Sequence, residues 1–288
     1  MDPSFFLVQV FNGVQYGLLL FLIASGLTLI FGIMGIINLA HGAFYMLGAY
    51  VAYWLAAQTG SLLVAVGGAV VFTALVGYGI ERVLMTRLYA RNHLDQVLLT
   101  YGLILVFNEV QRLSWGNDVH GVAIPAAVNF SFPLTDTLAF PFYRLVLAGV
   151  CAVLAVAMFL IIQKTRLGMW IRAGASNRDM VAGLGINIKA LFAIVFAAGA
   201  ALTGFAGAVA APLSSVYPGM GDSIIIISFV VVVIGGIGSV KGALAGAILV
   251  GLADTFGRVL LPDLSSFLVY AVMAAILLWR PQGLFSRA

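Results

Sequence analysis

The chain has 288 residues, of which 63% are hydrophobic and 8% charged, with a net charge of +4 and a mean hydropathy of +1.13. Soluble domains carry about a quarter charged residues, so this composition excludes a soluble globular protein and points to an integral membrane protein. No Lys or Arg precedes Arg82, and basic residues grouped in this way read as membrane topology rather than as a nucleic-acid footprint.

A bilayer core takes about 20 apolar residues per helix. In chain order the candidate spans are 5–33, 37–58, 61–81, 94–113, 141–163, 189–211, 223–238, 242–260 and 264–280. The expected fold is an all-α integral membrane protein of eight or nine transmembrane helices. The count depends on the glycine-broken segments at 33–42 and 235–242. The apolar runs are continuous rather than alternating, which argues against a β-barrel. The first run lacks the basic start and small-residue cleavage site of a secretory signal, so it is read as a retained span. The sole cysteine, Cys151, excludes an internal disulfide.

Orientation follows from the basic loops. Arg82, Arg87 and Arg91 form one group, and Lys164, Arg166, Arg172, Arg178 and Lys189 a second. Arg280 and Arg287 close the chain. All three groups are expected to be cytoplasmic. The N-terminus is then outside if the first three spans are all real, and inside if only two are. The loop from Ser114 to Pro141 is expected outside, with Trp115 and Tyr143 at interfacial level.

The cytoplasmic loop 164–189 carries a capped helix signal. Ser176-Asn177-Arg178-Asp179 fits the capping-box spacing, with the Ser176 hydroxyl on a free N–H and Asp179 favouring the positive helix end. Met180, Val181 and Leu184 follow as an apolar ridge, and Gly183 and Gly185 stop the helix, Gly185 as a left-handed cap. From pattern alone this is equally a helix lying on the membrane surface.

The glycine-broken segments are Gly35–Phe44 and Gly235–Leu244. An offset of 200 pairs Gly35 with Gly235, Ile37 with Ile237, Gly42 with Gly242 and Ala43 with Ala243, and sets His41 opposite Lys241. This fits an internal repeat of broken helices, a device of transporter folds. Matches also arise by chance in a chain this rich in Gly, Ala and Ile. Gly236 and Gly238 complete the second break, and Gly242 and Gly246 suit close helix packing.

Polar groups at membrane depth are costly and tend to face protein or water. Asn38, His41, Asn108, Glu109 and Asp254 are therefore candidates for a translocation path. Three of these, Glu109, Asp254 and His41, also have a plainer reading. Glu109 has Arg112 three residues on, Asp254 has Arg258 four residues on, and a local ion pair explains either. His41 suits an interface, and Lys241 suits snorkelling to the cytoplasmic surface. The chain has no G-x-x-x-x-G-K-[ST], no H-E-x-x-H, no cysteine pair and no G-x-S-x-G. No catalytic residue and no metal ligand is assigned.

Four separated motifs, "LTLIFGIMGIINLAHGAFYMLGAYVA", "RAGASNRDMVAGLGINI", "VVVIGGIGSVKGALAGAILVG" and "RPQGLF", resemble LivH-type permeases in the same order along nearly the whole chain. These are inner-membrane subunits of ATP-binding cassette importers for branched-chain amino acids and related small polar solutes. The resemblance implies a single transmembrane permease domain over 1–288 in the bacterial inner membrane. It implies no cofactor in this chain, with ATP and Mg bound by two cytoplasmic ATPase partners. A second permease subunit (LivM-like or a second copy) and a periplasmic solute-binding protein are the other implied partners. The loop Arg172–Asn187 would dock on an ATPase. Ser176-Asn177 departs from the acidic sequence many such importers carry there. A passive channel and an ion-coupled secondary transporter are the competing readings. The basic capped loop argues against the first, and the scarcity of intramembrane charge against the second.

Overall fold

The computed structural model describes residues 3–89, 91–135 and 138–285. Among them are eleven α-helices: α1 (Pro3–Met34), α2 (His41–Thr59), α3 (Leu62–Val83), α4 (His93–Trp115), α5 (Phe142–Lys164), α6 (Arg166–Ser176), α7 (Arg178–Gly183), α8 (Ile188–Ser214), α9 (Met220–Gly235), α10 (Val240–Leu260) and α11 (Ser265–Trp279). The expected all-α architecture holds. An antiparallel hairpin of β1 (Ser131–Thr135) and β2 (Leu138–Pro141) lies in the loop before α5. Phe130, Phe132 and Phe142 form an aromatic cluster at the hairpin's base.

By length and composition, five described helices suffice to cross a membrane: Ser4–Met34, Leu62–Arg87, Phe142–Lys164, Ile188–Ser214 and Val240–Leu260. Met220–Gly235 and Phe267–Trp279 are apolar but shorter. The expected runs 37–58 and 223–238 are trimmed by their glycines, because α2 starts only at His41 and α9 stops at Gly235. Arg287 lies outside the described residues.

Side-chain caps start most of the later helices. The Oγ of Thr165 and Ser239 and the Oδ1 of Asn177 and Asn187 each accept an N–H from the first turn of α6, α10, α7 and α8 respectively. Each satisfies one of the donors that a helix start leaves free.

The chain packs as two compact units. One comprises Gly26–Ala123 and Met158–Ile226. Its centre is the three-helix bundle of α2, α3 and α8. Small residues let these backbones nearly touch: a Cβ on Gly48 would overlap the Gly204 carbonyl, and one on Gly207 would overlap the Tyr45 carbonyl. Without a hydrophobic drive between helices in lipid, such close contact is what holds them. Ile33, Phe44, Leu191 and Phe196 form the core around the C-terminal end of α1 and the N-terminal end of α8.

The other unit comprises the chain up to Ser25, Ile124–Ala157 and everything from Ile227 on. Here α1 crosses α10 antiparallel on glycine. A Cβ on Gly13 would meet Leu252 Cα at 3.0 Å, and one on Gly17 would meet Ile248 Cα at 2.9 Å.

Candidate functional site

The loop 164–189 folds as α6, Asn177 and α7. The N-cap of α7 is Asn177, whose Oδ1 accepts the Met180 N–H at 2.9 Å. Ser176 is instead the last residue of α6, since that helix runs through the residue the capping-box reading took as the cap. Gly185 has a φ of +84°, the expected left-handed stop. The ridge divides: Met180 and Leu184 are 67% and 74% exposed, whereas Val181 is 4% exposed and anchors the helix. Asp179 sits in the first turn of α7.

Two arginines of this loop reach back to neighbouring segments. Arg172 donates to the Ile162 carbonyl and so closes the last turn of α5. The Arg178 guanidinium lies 2.9 Å from where a Cβ on Gly35 would stand, and Gly35 has a φ of +66°. Beside them, Tyr89 donates to Glu81 Oε1 at 2.6 Å, and Glu81 is fully buried. Burial, and then the hydrogen bond to Glu81, push the Tyr89 phenol far above its ordinary value. This pair was not evident in the sequence. Its signal was an acid one turn from the end of an apolar helix, which reads equally as an exposed end.

The break between α1 and α2 covers residues 35–40, and that between α9 and α10 covers 236–239. The two breaks fall at matching places in the offset of 200. His41 opens α2 and is fully buried, with its Nε2 2.7 Å from Thr203 Oγ1 on α8. It therefore sits in the helix core, held against α8. Asn38 is also fully buried, and among the described residues neither polar atom of its amide has a hydrogen-bond partner. Gly42 packs on Gly221, and a Cβ there would overlap the Gly221 carbonyl.

In the second break Gly236 and Gly238 have φ of +96° and +79°. Gly235 and Gly242 meet so closely that a Cβ on either would overlap the other's carbonyl. Lys241 is exposed in the first turn of α10.

The acids form the local pairs their spacing suggested. Arg112 Nη2 lies 2.8 Å from Glu109 Oε1, with both side chains at least half exposed. Arg258 grips Asp254 with two hydrogen bonds, at 2.8 and 3.1 Å, and the Asp254 side chain is 11% exposed. Asn108 neighbours the first pair and is half-buried.

A further feature went unread in the sequence. A cavity of about 630 Å³ opens at the N-terminal end of α1. Ser4, Leu7, Val8 and Phe11 line it from α1, facing Phe132 and Phe140 of the hairpin. Leu145 of α5 completes the wall, and its neighbour Arg144 donates to Asn12 Oδ1 at 2.9 Å. The partners lie 132 residues apart, so no local spacing signalled them.

Residues 9–277 match the family described as branched-chain amino acid transport system / permease component. The chain is 32% identical over 297 residues to the high-affinity branched-chain amino acid transport system permease protein BraD of Pseudomonas aeruginosa, covering 98% of this chain and 96% of that one. It is 32% identical over 304 residues to the corresponding LivH protein of Escherichia coli K12, with the same coverage of 98% and 96%. Against the LivM protein of that organism the identity is 25%, over 91% of this chain and 67% of the relative. No solved structure matches this chain with significance. A match across almost the whole length places the chain in the family of branched-chain amino acid transport permease components.

Proposed function

We propose that this protein is an inner-membrane permease subunit of an ATP-binding cassette importer. It forms part of the translocation path for branched-chain amino acids or related small polar solutes. The carrying observation is the near-full-length similarity to BraD and LivH, whose names state that transport. On this reading residues 1–288 are one permease domain with eight or nine spans and a cytoplasmic C-terminus. The second permease subunit is LivM-like or a second copy. A periplasmic binding protein delivers solute, and two ATPases bind ATP and Mg.

The loop 164–189 docks on an ATPase. Met180 and Leu184 suit that role because they are large, apolar and exposed on a helix that Asn177 and Val181 hold in place. Interfaces draw on such projecting apolar anchors. Asn38, with an unsatisfied buried amide, and Asp254 belong to the path, and Asp254 takes the solute ammonium. Glu109 is the weaker candidate because its pair is exposed.

The test is reconstitution of the chain with its permease partner, ATPases and binding protein in proteoliposomes. ATP-dependent leucine uptake is expected. Uptake by the chain alone, without ATPase, would replace this reading with a channel or a secondary transporter.

A further inference from the structure

Arg178 is the first residue of α7. A cation there is unfavourable to its own helix, whose start is already the positive end. Its side chain serves a neighbour instead. The α1 helix ends at Met34, and Gly35 follows in a left-handed turn with a φ of +66°, its N–H donating to the Phe31 carbonyl at 2.9 Å. The Arg178 guanidinium lies 2.9 Å from where a Cβ on Gly35 would stand, so the glycine leaves room for it against the end of α1. A cation is favourable at that negative helix end. The same guanidinium is within electrostatic reach of Tyr89. Burial and the hydrogen bond to Glu81 raise that phenol, and the charges of Arg82 and Arg178 pull the other way.

The break that begins at Gly35 carries Asn38, fully buried and with neither amide atom hydrogen-bonded among the described residues. It leads into His41, which Thr203 holds at 2.7 Å. On the other side of the contact, Arg178 and the exposed Met180 share the first turn of a helix of only six residues, so moving one moves the other. We propose that Arg178 is the positioning residue that links α7 to the break between α1 and α2. Displacement of α7 by an ATPase draws the guanidinium off Gly35. The end of α1 then loses its cation, and the segment 35–40 rearranges around Asn38. With Arg178 seated, that segment is held as the structure shows it. The proposal rests on the permease reading for the force that moves α7. It goes beyond that reading by naming the contact through which the movement reaches the path.

The test uses the full transporter in proteoliposomes with its binding protein, carrying the natural chain, Arg178→Ala or Arg178→Lys. Leucine uptake and ATP hydrolysis are measured in the same vesicles and expressed per complex recovered. Arg178→Ala should lower the leucine moved per ATP hydrolysed by roughly two- to fivefold, the size of a charge interaction at a helix end. Arg178→Lys keeps the charge and should fall between it and the natural chain. Amide exchange over residues 35–40 is followed in the same complexes. It should respond to ATP in the natural chain, and in Arg178→Ala it should be faster without ATP and should no longer respond. If Arg178 only braces the loop, uptake and hydrolysis fall together with the complex recovered, and exchange quickens over α7 but not over 35–40. That pattern overturns the proposal, as does an unchanged ratio of leucine to ATP in Arg178→Ala. A natural complex that imports no leucine with ATP sinks the importer reading, and the proposal falls with it. That case is told apart by the natural chain alone, before any variant is compared.

Discussion

The backbone N–H of Leu284 donates to the carbonyl of Ile234 at 2.9 Å, and that of Phe285 to Gly235 at 3.1 Å. The last turn of α9 thus receives its missing donors from a segment about 50 residues later in the chain. The turn through Gly283, with a φ of +82°, brings the tail against Gly236. Gly283→Ala incurs both the left-handed strain and an overlap with Gly236 Cα at 2.6 Å. The expected loss is about 2–4 kcal/mol, from strain plus overpacking. Gly116→Ala is the control, since Gly116 has a φ of +78° but nothing near its Cβ position. Thermal unfolding in detergent should rank Gly283→Ala well below Gly116→Ala; equal midpoints would show that the tail is not seated on α9.

The divided ridge of α7 separates docking from folding. Met180→Asp and Leu184→Asp should leave the amount of protein in the membrane unchanged and reduce the ATPase that co-purifies with it. Val181→Asp buries a charge at a 4% exposed position and should lower accumulation instead. Asn177→Ala removes the cap and should cost about 1 kcal/mol of local stability, seen as faster amide exchange over α7. Loss of ATPase from Val181→Asp alone, at normal levels, would count against the assignment of Met180 and Leu184.

Glycines on α3 and α8 give opposite expectations. A Cβ on Gly204 would overlap Thr73, whereas one on Gly67 meets nothing within 4 Å. Gly204→Ala should destabilise by about 1–3 kcal/mol. Gly67→Ala should be neutral or stabilise by up to about 1 kcal/mol through helix propensity. Melting temperatures of the two purified variants decide the matter, and a shared sign would contradict the packing of α2, α3 and α8.

The acid pairs should differ in consequence. Glu109→Gln removes an exposed pair, so stability should move by no more than about 0.5 kcal/mol and leucine uptake should stay at the natural level. Asp254→Asn weakens a two-bond grip at a largely buried side chain. It should lower stability by about 1 kcal/mol and uptake by more than that loss explains. Full uptake by Asp254→Asn would remove it from the path.

Legibility in the sequence followed locality. The breaks at Gly35 and Gly236, the left-handed Gly185 and the two acid–arginine pairs are all local patterns, and each is found where its spacing placed it, whereas the apolar runs gave helices whose ends the glycines moved. The cap of α7 was misplaced by one residue because Ser176 and Asn177 offer similar acceptors, and only the continuation of α6 through Ser176 separates them. Partners far apart in sequence were invisible. Thr203, which holds His41, lies 162 residues away, and Arg144 lies 132 from Asn12. A histidine in an apolar segment gives no sign of whether it meets protein or water until its partner helix is placed.

The seam that α8 makes with α2 and α3 also sets an order of events at the ribosome. Between the end of α3 at Val83 and the start of α8 at Ile188 the ribosome adds about 105 residues. At synthesis rates of about 5–20 residues per second, that takes roughly 5–20 s. Through that interval His41 lacks Thr203, and the small-residue grooves on α2 and α3 lack the backbone that fills them. The nascent chain thus holds both grooves open, and the His41–Thr203 contact unmade, until α8 follows them.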